Sequence, residues 1–214
     1  MMRAYEETYL NDAMDNLGSM FDYAVCGLAY DAEAFYSQFL GSGVAECFEK
    51  GNPKYIAGLS GPELAREVIF RTEGRRLWAE MSEEAERSAQ YWAGWVLAYY
   101  QWYTAHSFAY LQKRGLTISE IISLYPTLHE ADVSKFVSIA DDRIEKSKNA
   151  DISSLKKIRQ AKGVTQKRLA ELSGASLRMI QLYEQKQQDI RKAEAQTLVN
   201  IAKALGCDVE SLFD

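Results

Sequence analysis

The stretch GVTQKRLAELSGASLRMIQLYE, residues 163–184, decides how this chain is read. Gly163 ends the helix before it, and Thr165 offers the hydroxyl that an N-cap needs. Gln166–Ser173 then reads as a short helix with Leu169, Ala170 and Leu172 apolar. Gly174 supplies a left-handed turn, and Ser176 caps a third helix, Leu177–Gln185, with Ile180 and Tyr183 facing inward. Upstream, Ser153–Lys162 carries Leu155 and Ile158 on one face. Downstream, Lys192–Leu205 carries Leu198, Ile201, Ala202 and Leu205, with Gly206 as its stop. Val209, Leu212 and Phe213 add one more turn.

Two short helices joined by a turn of three or four residues containing Gly are the helix-turn-helix signature. The motifs in order are L-x-x-I-R (155–159), G-V-T-Q-x-x-L-A (163–170), G-A-S (174–176), I-x-x-Y-E (180–184) and L-V-N-I-A-K-A-L-G (198–206). Over about 60 of 214 residues this pattern resembles the lambda-repressor-like family, also called Cro-type or xenobiotic-response-element type. The resemblance implies a five-helix domain that binds double-stranded DNA. It also implies an ion pair between Arg159 and Glu184, joining the first and third helices. Two positions depart from the family pattern: Lys186 stands where Gly is usual, and Ile190 where Pro is frequent. The loop between the third and fourth helices is therefore left open.

In the docking mode of such motifs, the start of the second helix of the pair enters the major groove. Helical spacing then turns Ser176, Leu177, Arg178 and Gln181 outward. Arg178 suits the O6/N7 edge of guanine, Gln181 suits adenine, and Leu177 suits a thymine methyl. Gln166, Lys167, Arg168 and Lys186 are candidates for phosphate. Otherwise these cations are solvated surface charges.

Charge supports a division of the chain. Residues 151–214 hold 11 Lys+Arg against 8 Asp+Glu, whereas residues 1–150 hold 14 against 22. A basic module beside an acidic one suggests different partners. The polar stretch Glu145–Asp151 has no apolar face, so the expected domains are 1–148, of no recognised family, and 151–214. Cys26, Cys47 and Cys207 are odd in number and far apart, which argues against disulfides and zinc and for reduced, half-buried thiols. The acidic, polar N-terminus lacks the pattern of a signal peptide, so a cytoplasmic location is expected.

The N-terminal region reads as helix throughout, giving an all-α chain: a helical domain followed by the five-helix domain. Residues 4–28 form one amphipathic stretch; Asp31 caps a second helix carrying Phe35 and Phe39; Val44–Phe48 forms a third. Capping boxes are expected at Ser60–Glu63, Thr117–Glu120 and Thr127–Glu130, with Pro126 separating the last two helices. Ser88–Gln112 is uncharged, but Gln101, Thr104 and His106 and its scattered Trp and Tyr argue against a membrane span. Its stripe at 88, 92, 95, 99, 102, 106 and 110 is expected to pack into a core, the alternatives being a ligand pocket or a dimer interface.

Catalytic constellations do not emerge. Gly58–Gly61 lacks the spacing of a phosphate loop, and His129-Glu130-Ala131-Asp132 lacks the H-E-x-x-H geometry of a metal site. His106 reads as a core histidine with a hydrogen-bond partner. No enzyme activity, cofactor or metal is expected. The leading expectation is a transcriptional regulator, a repressor acting as a homodimer. The alternative is an antitoxin-like protein, whose N-terminal domain holds a toxin-like protein partner while the second domain autoregulates. Residues 120–144 resemble short helical modules of bacterial antitoxins.

Overall fold

The computed structural model describes residues 3–77 and 88–213, and the side chains of all of these except 149–151. Among them there is helix and no strand. The chain clusters into two compact units, Met1–Glu145 and Lys146–Asp214.

The first unit contains α1 (Leu10–Asp22), α2 (Ala32–Gly41), α3 (Val44–Glu49), α4 (Gly61–Glu73), α5 (Ala89–Thr104), α6 (Phe108–Lys113) and α7 (Ile118–Leu128). The last helix that begins in it, α8 (Val133–Asp151), runs through the division between the units. Local chemistry sets most of the starts. The Asp31 carboxylate accepts the Ala34 amide at 2.9 Å, and at Ser60–Glu63 both arms of the capping box are formed. At Thr117 only the hydroxyl arm forms; the Glu120 carboxylate pairs with Arg143 at 2.5 Å instead.

The helices α1 and α5 are the central pair. Their approach depends on two glycines. A Cβ on Gly94 would lie 2.5 Å from the Leu17 carbonyl oxygen, and one on Gly18 would lie 2.8 Å from that of Tyr91. The buried residues of α5 accordingly include the small Ala93, Gly94 and Ala98 beside Val96, Leu97 and Gln101, together with the rings of Tyr91, Tyr100 and Trp102. The aromatic stripe packs against the core as expected, although most of it is not enclosed. Trp92, Trp95, Tyr99, His106 and Tyr110 are only half-buried, and Trp102 alone of the stripe's rings is fully inside. The stripe is also interrupted: Ala105 takes a left-handed φ of 54°, and Ser107 caps a new helix, so 88–112 is two helices rather than one.

A second correction concerns Pro126, which lies inside α7 rather than between helices. Its missing N–H removes one bond close to the C-terminal end, where the helix has almost no further turns to lose. The Thr127–Glu130 box consequently does not exist. The His129 amide bonds back to the Tyr125 carbonyl, and α8 starts instead from Asp132, whose carboxylate accepts the Ser134 amide at 2.8 Å. Of the three thiols, Cys47 and Cys207 are half-buried but Cys26 is exposed, and all are free.

The second unit adds α9 (Ser154–Ala161), α10 (Gln166–Ser173), α11 (Leu177–Glu184) and α12 (Ala195–Leu205), closed by a 3₁₀ turn at Val209–Leu212. Its core is Leu155, Leu169, Ile180, Tyr183, Ile201, Ala202, Leu205 and Leu212. Each large apolar side chain among them contributes about 1.5–3 kcal/mol by leaving water. Ile158 is only partly buried, and Leu172, read as part of an apolar face, is 48% exposed.

Candidate nucleic-acid interface

The start of α11 is set by two residues. Gly174 takes φ +72°, a conformation in which a side chain would be strained, and turns the chain out of α10. Ser176 then accepts the Met179 amide at 3.2 Å, as Thr165 accepts that of Arg168 at the start of α10. Ile180 and Tyr183 anchor the inner face of α11 in the core.

The end of α11 is held by a buried ionic cluster. Arg159 of α9 donates Nε to Glu184 Oε1 at 2.5 Å and Nη2 to Oε2 at 2.9 Å, while its Nη1 reaches the Val164 carbonyl at 2.6 Å. Gln166, the first residue of α10, donates Nε2 to Glu184 Oε2 at 2.7 Å. The Glu184 side chain is 1% exposed and that of Arg159 11%. One carboxylate thus ties three helices together, and its hydrogen bonds raise the Arg159 pKa above its ordinary value. A two-pronged pair of this kind fixes geometry as well as charge.

What remains facing solvent is polar and basic. Ser176, Leu177 and Arg178 form the exposed first turn of α11, with Leu177 41% exposed; Gln181, one turn on, is half-buried. Lys167 and Arg168 are exposed on α10, Arg168 pairing loosely with Glu171 at 3.2 Å. Gln166 is half-buried, with its side-chain amide already engaged by Glu184.

The loop after α11 solves the problem posed by Lys186. This lysine takes φ +55°, the left-handed conformation that glycine would adopt without strain. The Gln187 amide then returns to the Leu182 carbonyl at 3.0 Å, and Asp189 caps a 3₁₀ turn at Ile190–Lys192. Ile190, where Pro was the alternative, packs partly against the core. The loop also exposes Arg191 and Lys192, which the reading of the sequence passed over. Their signal was two adjacent cations behind an Asp, and the Arg191 amide holds the Asp189 carboxyl below the usual carboxylate range.

The order of elements, the glycine turn and the pair between the first and third helices of the unit are now established. Residues 155–212 match the Helix-turn-helix family model. The match covers the helix-turn-helix unit from Leu155 in α9 to Leu212 in the closing turn, and it points to a DNA-binding transcriptional regulator. The N-terminal region matches no family model, and no curated protein or solved structure matches the chain. Among the described residues no helix is long and apolar enough to cross a membrane, and no group of three His, Cys, Asp or Glu side chains could hold a metal ion.

Proposed function

We propose that the protein is a sequence-specific repressor of transcription that acts in the cytoplasm as a homodimer and reads the major groove with α11. The observation that carries this reading is the exposed first turn of α11 on a helix whose far end is fixed by a buried carboxylate. A reading head needs both properties, side chains free to reach base edges and a backbone that does not wander.

In this reading Arg178 makes two parallel hydrogen bonds to a guanine, Gln181 pairs with adenine, and Leu177 meets a thymine methyl. Leu177, 41% exposed beside the arginine, presents an apolar surface that a thymine methyl can meet. Ser176, Lys167, Arg168 and Lys186 serve the backbone, joined by the amide end of α10 at Gln166. Arg191 and Lys192 extend the same basic rim. One module of this size covers roughly 600–1,000 Å² of protein surface, too little for tight specific binding at physiological salt. Two copies on half-sites about 34 Å apart supply the rest. The acidic N-terminal unit is the place for dimerisation or for sensing a signal.

Selection of bound duplexes from a random pool by the intact chain tests the proposal. Enrichment of a two-fold symmetric sequence is expected. Enrichment of nothing beyond the input pool overturns it.

A further inference from the structure

The half-buried aromatic face of α5 packs against the core without being enclosed by it. Trp92 and Trp95 of α5, with Tyr125 and His129 at the end of α7 and Phe136 of α8, line a cavity of about 260 Å³ that opens to solvent. The same rings that pack against the core on one side thus leave an open, ring-lined space on the other. The rings are arranged as a box. Tyr125 and Phe136 each meet Trp92 edge-to-face, with centroids 5.8 and 5.9 Å away and planes at 71° and 81°.

Apart from the His129 imidazole, the described groups of this box favour positive charge. Aromatic faces carry negative potential. Asp132 lies in the lining, and hydrogen bonds from Ser134 hold its carboxyl below the usual carboxylate range. The ring of Tyr91 forms part of the wall, and its hydroxyl donates to the Asp15 carboxylate at 2.6 Å. Among the described residues no Lys or Arg lines the cavity. The N-terminus of α8 would by itself favour an anion, but Asp132 is the residue that caps it.

We propose that this cavity binds a small organic cation, a tertiary or quaternary ammonium compound about the size of one substituted ring. Ring faces attract an ammonium group within about 6 Å, most strongly where water is excluded. The volume falls just under the roughly 300–1,000 Å³ of sites for drug-sized ligands. A carboxylate or phosphate would find no Lys or Arg among the described residues of the lining. This site does not depend on how the second unit reads DNA.

The test is isothermal titration calorimetry of the full chain at about pH 8, above the ordinary histidine range. The probes are benzyltrimethylammonium and its uncharged isostere neopentylbenzene. The cation is expected to saturate and to bind about tenfold tighter than the isostere. Asp132→Asn keeps the cap, since Asn caps as well as Asp, and should weaken the cation several-fold while leaving the isostere alone. Trp92→Leu, checked for an unchanged circular-dichroism spectrum, should abolish the preference for charge. Equal binding of the two probes, no saturable binding of the cation at millimolar concentration, or cation binding indifferent to Asp132→Asn would each overturn the proposal.

Discussion

Replacing Arg159 by Met leaves the Glu184 carboxylate in place with its principal partner gone. Methionine keeps most of the length of the arginine stem, so the perturbation is mainly electrostatic. Glu184 loses both guanidinium bonds and keeps only the Gln166 amide, at a site 1% exposed, and the Val164 carbonyl loses its donor. Breaking a buried pair by removing one partner costs about 3–5 kcal/mol. A unit of this size has a total stability of only roughly 3–10 kcal/mol, at about 0.05–0.15 kcal/mol per residue. The substitution should therefore remove about a third of it or more. The double variant Arg159→Met/Glu184→Leu removes both charges and should recover most of the loss, because a well-packed apolar pair is often neutral relative to an ionic one. Hydrogen exchange on the intact chain reads this directly. Amides of α9 to α12 should exchange roughly a hundred to a few thousand times faster in the single variant, at one decade per 1.36 kcal/mol. If the single variant lost less than about 1 kcal/mol, the pair would be contributing no more than an exposed bridge. A double variant as unstable as the single one would refute the account of an abandoned charge.

Three other outcomes are expected. Arg178→Ala should cost about 1–3 kcal/mol on a selected operator and relax one base pair per half-site, whereas Lys167→Ala should weaken operator and scrambled duplex alike and lower the salt slope by about one; equal losses on both duplexes for Arg178→Ala would make it a phosphate anchor. Lys186→Gly should stabilise the second unit by about 0.5–1 kcal/mol in hydrogen exchange, the relief of a left-handed side chain less the added freedom of the unfolded chain, while weakening DNA binding; no gain in protection would show that the lysine is unstrained there. Purification of the chain from its native host should yield no second protein in stoichiometric amount, and finding one would move the reading to an antitoxin.

The second unit was legible because its instructions are local. Thr165, Gly174 and Ser176 each do their work within four residues, so Gln166–Ser173 could be delimited from the sequence and the start of α11 found at Leu177. The resemblance supplied the positions of Arg159 and Glu184, but nothing in the sequence announced that Gln166 shares the same carboxylate, because that contact spans 18 residues and depends on how α10 is set down. The loop after α11 stayed open because a lysine at φ +55° has no sequence signature. In the first unit the instructions are tertiary. The break at Ala105 replaces no obvious stop signal, and α7 overrides the one that Pro126 provides. The aromatic stripe of α5 was legible as a core contact, but which of its rings are enclosed was not, because that depends on how α1, α7 and α8 are set against it.

That crossing has a consequence for tracing ancestry. Gly18 and Gly94 leave no room for even one methyl group where α1 and α5 meet: the nearest backbone atom would lie 2.8 Å from a Cβ on the first and 2.5 Å from one on the second. A lineage that acquires alanine at either position must move a helix axis in the same step, so drift there is barred one substitution at a time. The two glycines, far apart in sequence and brought together where α1 and α5 cross, are therefore a fingerprint by which distant cousins of this unit could be recognised after their aromatic residues had been exchanged.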